Sequence, residues 1–176
     1  MLKPEEVSES AAEKEEENLH FRSYLKSHAN EEKLDQQFLQ LHQELFDVYD
    51  CSKCRNCCRK LNVTIPKNDL QKDADVLGIT VEELKQKYLQ EPDGDGECSA
   101  MHKPCDFLSE DGSCMLKDCR PDSCRNYPYT DQPERISSLY SVLDTASICP
   151  VAFEIWERLK QMYCFHYRPD RKKYRF

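Results

Sequence analysis

Four cysteines crowd into one octapeptide of this 176-residue chain, Cys51-Ser-Lys-Cys54-Arg-Asn-Cys57-Cys58. No other feature constrains the fold as strongly. Two-residue gaps let a tight turn aim successive sulfurs at one point, where loop amide N–H groups can hydrogen-bond the thiolates. Cys57 and Cys58 are neighbours. Adjacent side chains normally diverge, so the pair points to two metal centres close together. Seven more cysteines, Cys98, Cys105, Cys114, Cys119, Cys124, Cys149 and Cys164, are spread over the rest of the chain. A tetrahedral thiolate site takes four ligands, so distant cysteines are expected to close the loops that the octapeptide begins.

The total of 11 cysteines is odd and leaves at least one thiol outside any full disulfide pairing. The opening MLKPEEVSESAAEKEEEN is acid-rich and has no apolar stretch of the secretory type. The expectation is therefore a cytoplasmic protein, in a reducing compartment where many cysteines mean metal rather than disulfides. No apolar run approaches the ~20 residues that span a bilayer, so no membrane association is expected.

Charge divides the chain as the cysteines do. Residues 1–50 hold 13 acidic and 5 basic side chains and no cysteine, whereas residues 51–176 hold 20 of each sign and all 11 cysteines. The net charge of -8 thus belongs to the first fifty residues. The chain reads as an acidic helical extension (1–50), a cysteine-cluster domain (51–167) and a basic tail (168–176). A hydrophobic content of 39% is modest for this length, and metal is a candidate for part of the work of a core. The acidic extension opposes polyanion binding, and no nucleic acid is expected as a partner.

Leu34, Phe38, Leu41, Leu45 and Val48 recur at helical spacing behind Asn30, a suitable N-cap. This amphipathic stripe is too short for a coiled coil and is expected to pack on its own domain, or to meet a protein partner. A second helix is expected upstream through Leu19, Phe21, Tyr24 and Leu25, its first dozen residues frayed. Leu61 to Ile65 alternates like a brief strand. Pro66 to Leu77 reads as a helix ending at Gly78, and Thr80 with Glu83 forms a capping box for a helix to about Gln90. Pro92 to Gly96 reads as a loop. Phe107-Leu108 and Cys114-Met115-Leu116 suggest a hairpin. Residues 131–148 carry no deciding pattern. Pro150 opens a last amphipathic helix through Phe153, Trp156, Leu159, Met162 and Tyr163. The fold class that results is mainly α with a small β-hairpin, a small metal-organised domain behind an N-terminal helical extension.

Four thiolates around a divalent cation carry excess negative charge, which nearby cations stabilise. Arg120 and Arg125, each directly after a cysteine, are the best placed of the basic residues between the cysteines. His102, in CSAMHKPC, is a further candidate ligand beside Cys98 and Cys119. No P-loop, G-x-G-x-x-G, G-x-S-x-G or H-E-x-x-H is present, and no catalytic set can be named.

The segments CSKCRNCC (Cys51 to Cys58), PCDFLSEDGSC (Pro104 to Cys114), RPDSCRNYP (Arg120 to Pro128) and ICP (Ile148 to Pro150) together resemble the bacterial CxxCxxCC proteins called YkgJ-like, a family of zinc- or iron-chelating domains. The resemblance covers roughly residues 50–150. It implies eight ligand cysteines, Cys51, Cys54, Cys57, Cys58, Cys105, Cys114, Cys124 and Cys149, and makes Cys98, Cys119 and Cys164 extras. The family commonly has glycine in the second two-residue gap, where this chain has Arg55 and Asn56. Asn is the non-glycine residue best suited to a left-handed conformation, so the loop is expected to survive.

The expected function is chelation of zinc or iron by these thiolates. The metal stays undecided, since C-x2-C-x2-C with a remote Cys-Pro fits a [4Fe-4S] cluster and short C-x2-C pairs fit structural zinc equally. Alternatives are an iron–sulfur oxidoreductase, or the partner of a redox or methylation enzyme, and a zinc-stabilised interaction module.

Overall fold

A computed structural model describes residues 1–90 and 96–169. Helices and strands follow one another as α1 (Val7–Glu13), α2 (Glu15–His28), α3 (Glu31–Phe46), α4 (Cys51–Cys54), α5 (Asn56–Lys60), β1 (Thr64–Ile65), α6 (Leu70–Leu77), α7 (Val81–Tyr88), β2 (Leu89–Gln90), β3 (Cys98–Ala100), α8 (Asp122–Arg125), α9 (Arg135–Ala146) and α10 (Pro150–Met162). The fold is mainly α, as expected, with 59% of the described residues helical. The chain forms two compact units. The first joins Met1–Tyr49 to Pro128–Phe176, and the second is the intervening Asp50–Tyr127. Residues 128–167, grouped by composition with the cysteines, thus fold with the N-terminal helices.

In the first unit α10 packs on α3 and α9, and α2 packs on α9. Asn30 caps α3 by accepting a hydrogen bond from Lys33 N (3.0 Å), and Leu34, Phe38, Leu41 and Leu45 are buried. The stripe is therefore used inside the unit. Val48 lies past the helix end and is 79% exposed. The opening residues are not frayed: Val7, on α1, is fully buried and clusters with Ala11 and Phe153. Trp156 is the anchor of α10, set edge-on to Phe21 at 5.1 Å and donating from Nε1 to Asn18 Oδ1 at 3.0 Å.

The start of α9 is capped from a distance. Glu134, its N-cap residue, is left-handed (φ 61°) and offers no side-chain cap. Asp35 of α3 accepts instead from the backbone N–H groups of Glu134 (2.8 Å) and Arg135 (2.9 Å). Arg135, nearly buried, donates to the carbonyls of Tyr129 (2.7 Å) and Pro133 (3.0 Å) and so fixes the turn before the helix.

The second unit is built from short pieces. β3 lies between β1 and β2 in an antiparallel sheet, with Ile65 opposite Cys98 and Leu89 opposite Ala100. Pairing as β2 takes Leu89 and Gln90 out of the helix, so α7 stops at Tyr88. At its start the Thr80 capping box is closed, Glu83 N donating to Thr80 Oγ1 (3.2 Å) and Thr80 N to Glu83 Oε2 (2.9 Å). Gly78 ends α6 at φ 68°, the conformation that glycine adopts without a Cβ penalty. The expected hairpin of Phe107-Leu108 and Cys114-Leu116 reduces to a single bridge, Leu108 to Cys114. Phe107 and Leu116 instead join the buried cluster of Ile65, Leu70, Leu84 and Ala100. The loop expected at Pro92 to Gly96 lies outside the described residues except for Gly96, and the basic tail does so beyond Pro169.

Asp73 of α6 is fully buried, and neither carboxylate oxygen has a hydrogen-bond partner among the described residues. Burial lifts its pKa from the ordinary 3.8 to about 6; the cation of Lys72 opposes this and the charge of Asp69 adds to it. A raised carboxyl pKa means the folded chain binds more protons than the unfolded one between about pH 4 and 6, so stability falls as pH rises through that window. Asp73→Asn is expected to stabilise the second unit by about 1–2 kcal/mol at pH 8 and by almost nothing near pH 4. Urea denaturation at the two pH values checks this; an equal effect at both would count against the buried charge as the cause.

Candidate metal centre

The octapeptide folds as two short helices with a sharp turn between them. Asp50 caps α4, accepting from Ser52 N at 2.9 Å, and places Cys51 and Cys54 three residues apart on one helical turn. Arg55 then takes a left-handed conformation (φ 50°, ψ 20°), ending α4 and starting α5. Asn56, the residue suited by type to that conformation, is the first helical residue of α5 and is buried. A non-glycine residue there costs about 1 kcal/mol or more. Arg59 reaches back to the Cys54 carbonyl at 2.7 Å and braces the turn.

Cys57 and Cys58 do not diverge. Their sulfurs are 3.9 Å apart. Both lie on the helical turn of α5, where successive side chains are separated by about 100° rather than by the half-turn of an extended strand. The backbone then brings Cys105 alongside, its N–H donating to the Cys58 carbonyl at 2.8 Å. Leu108 N donates to the Cys105 carbonyl (2.9 Å), and the Leu108–Cys114 bridge brings Cys114 in behind it.

The electrostatics of the site indicate which thiols sense one another. Cys58 is held down to about 6 by the hydrogen bond with Cys57 and by the charges of Arg55 and Arg120, against the opposing effect of burial. Cys105 is pushed up to about 11 by burial and by the neighbouring Cys58, Cys124 and Cys114. Cys124 is pushed up to about 11 by burial, Cys58 and Cys114, with Arg120 opposing. Burial and then Cys54 raise Cys51, which also senses Cys58 and the charge of Arg55. Cys51, Cys54, Cys58, Cys105, Cys114 and Cys124 are thus electrostatically coupled, with Cys57 joined through Cys58. Cys51, Cys105 and Cys124 thus resist losing their protons unless a cation takes the charge, whereas Cys58 gives its proton up readily. Seven soft sulfur donors that repel one another as thiolates, with two guanidinium groups beside them, fit a thiophilic metal ion. Among the described residues, no three His, Cys, Asp or Glu side chains stand ready around a single point. The set is brought together pair by pair.

The remaining sequence candidates are placed differently. Cys149 is buried in the first unit, as the residue before Pro150 of α10. Cys98 is buried on β3 within the apolar cluster, and Cys119 sits in a 3-10 turn of Lys117–Cys119. Cys164 is exposed in the first unit. None of the eleven forms a disulfide. His102 is exposed, its Nδ1 2.7 Å from Asp106 Oδ1, while its backbone N–H donates to Asp106 Oδ2 at 2.9 Å. Arg120 faces Cys58 and Cys124. Arg125 instead donates to the Asp118 carbonyl (2.9 Å) and pairs with Asp122 (3.3 Å). Arg55 is the second guanidinium at the thiols. Its place just before the Cys57–Cys58 pair was the available signal.

Among the described residues no helix is long and apolar enough to cross a membrane. Residues 50–150, more than half of the chain, match the family model CxxCxxCC, "Putative zinc- or iron-chelating domain". No curated protein and no solved structure matches the chain.

Proposed function

The chain belongs to the CxxCxxCC family of zinc- or iron-chelating domains, and we propose that it holds zinc or iron through the thiolates of Cys51, Cys54, Cys57, Cys58, Cys105, Cys114 and Cys124 in its second unit. The observation that carries this is the mutual coupling of those thiols beside Arg55 and Arg120. The eighth cysteine of the family pattern, Cys149, lies in the first unit, and the proposal rests on the other seven. Cys98 serves the apolar cluster and is left out of the ligand set.

The metal's role in this reading is to cross-link segments that are far apart in sequence. A bound zinc ion supplies only that, whereas iron adds one-electron chemistry. Arg55 and Arg120 offset the charge of the thiolates in either case. Thiols in this number require a reducing compartment, and the cytoplasm is the proposed location.

Elemental analysis of protein purified without air tests the proposal. Zinc or iron near a whole number of equivalents per chain is the expected result, and folded, monodisperse protein without metal would sink it. Colour divides the two roles. Colourless zinc protein favours a structural centre, and a brown protein that bleaches on reduction favours an iron–sulfur oxidoreductase.

A further inference from the structure

Two sulfurs bound to one ion at about 2.3 Å with tetrahedral geometry stand about 3.8 Å apart. The sulfurs of Cys57 and Cys58 are 3.9 Å apart. In a four-iron cluster each cysteine binds a different iron, which sets its ligand sulfurs on separate corners. We infer that Cys57 and Cys58 bind the same metal ion, as a paired-thiolate chelate, and not one centre each or one iron each of a four-iron cluster. The inference rests on the chelating role proposed above and narrows it to a site where a single ion takes two adjacent thiolates.

The local fold supports the pairing from three sides. The helical turn of α5 puts the two side chains on neighbouring directions, so little reorganisation separates the observed spacing from a chelate. The left-handed Arg55 caps that turn two residues before Cys57 and brings a guanidinium to Cys58. The 2.8 Å backbone bond from Cys105 N–H to the Cys58 carbonyl holds a third sulfur-bearing residue beside the pair. An ion bound by both cysteines therefore has Cys105 on the adjoining backbone as a candidate third ligand, once its side chain turns toward the pair.

Native mass spectrometry of the wild type, Cys57→Ser, Cys58→Ser and the double variant, prepared without air, counts the ions. If the pair shares one ion, each single variant loses one ion per chain and the double variant loses no more. Two ions lost from the double where each single loses one would overturn the inference and leave the chelating role standing. So would a single variant that keeps every ion. Wild-type protein with no metal would instead overturn the chelating role, and the inference with it. The wild-type protein gives a second reading should the variants misfold. One equivalent of phenylarsine oxide, which takes two neighbouring thiols, is expected to release one ion per chain; release of two would overturn the sharing.

Discussion

Stripped of metal by a chelator under reducing conditions, the second unit is expected to unfold while the helices of the first unit persist. The second unit has little else to hold it. Its helices run from four to eight residues and its strands from two to three. Helices that short are marginal on their own. Its buried apolar cluster is small, with Phe107 the one fully buried aromatic ring among its described residues. Thiolate coordination of zinc in comparable small domains contributes roughly 10 kcal/mol or more, which exceeds the whole stability of many domains. Amide hydrogen exchange should therefore show protection lost across α4–α8 and kept in α3, α9 and α10. The fluorescence of Trp156, the sole tryptophan, should stay that of a buried indole. Full protection of the second unit without metal would mean that its apolar cluster suffices.

The largest single-residue effect in the first unit is expected from Trp156→Ala. The indole is 1% exposed, meets Phe21 edge-on, and uses its N–H on the buried side chain of Asn18. Removing it opens a cavity beside Phe21 and leaves the Asn18 carbonyl without its donor. Large-to-small changes of this kind cost about 3–5 kcal/mol, and the orphaned carbonyl adds about 1 kcal/mol. Urea unfolding followed by circular dichroism reads the loss. Metal content per chain should be unchanged, and a fall in it would show that the two units do not divide stability as proposed.

What the sequence made legible depended on where each determinant sits. α3, α7 and α10 carry their signals within a few residues, namely Asn30 with its stripe, Thr80 with Glu83, and Pro150. α9 does not, because its cap is Asp35, about a hundred residues earlier, and its own N-cap residue is a left-handed Glu134. β3 is three residues, Cys-Ser-Ala, with no strand preference of its own, and it exists because β1 and β2 flank it. Phe107 and Leu116 looked like facing strands but are two anchors of one apolar cluster. Within the centre, spacing revealed the sulfurs. Their directions were hidden, since neighbouring side chains point to opposite sides in an extended loop but stand only about 100° apart on a helical turn. The identity of the left-handed residue was hidden for a similar reason. Asn is preferred by type, but the capped turn of α4 ends one residue earlier, at Arg55.

The chain leaves the first unit after Tyr49 and returns at Pro128. Its helices α3 and α9, bonded through Asp35, must meet across everything in between. With the second unit unfolded, that is the closure of a loop of about 80 residues, an entropic cost of about 4 kcal/mol by the logarithmic law for flexible chains. A folded second unit holds the ends of the excursion at a fixed separation and removes most of that cost. Metal bound by the proposed ligands is thereby expected to raise the melting temperature of helices that contain none of them. Chain connectivity is enough for this effect, which acts as an effective concentration of one half of the bundle for the other.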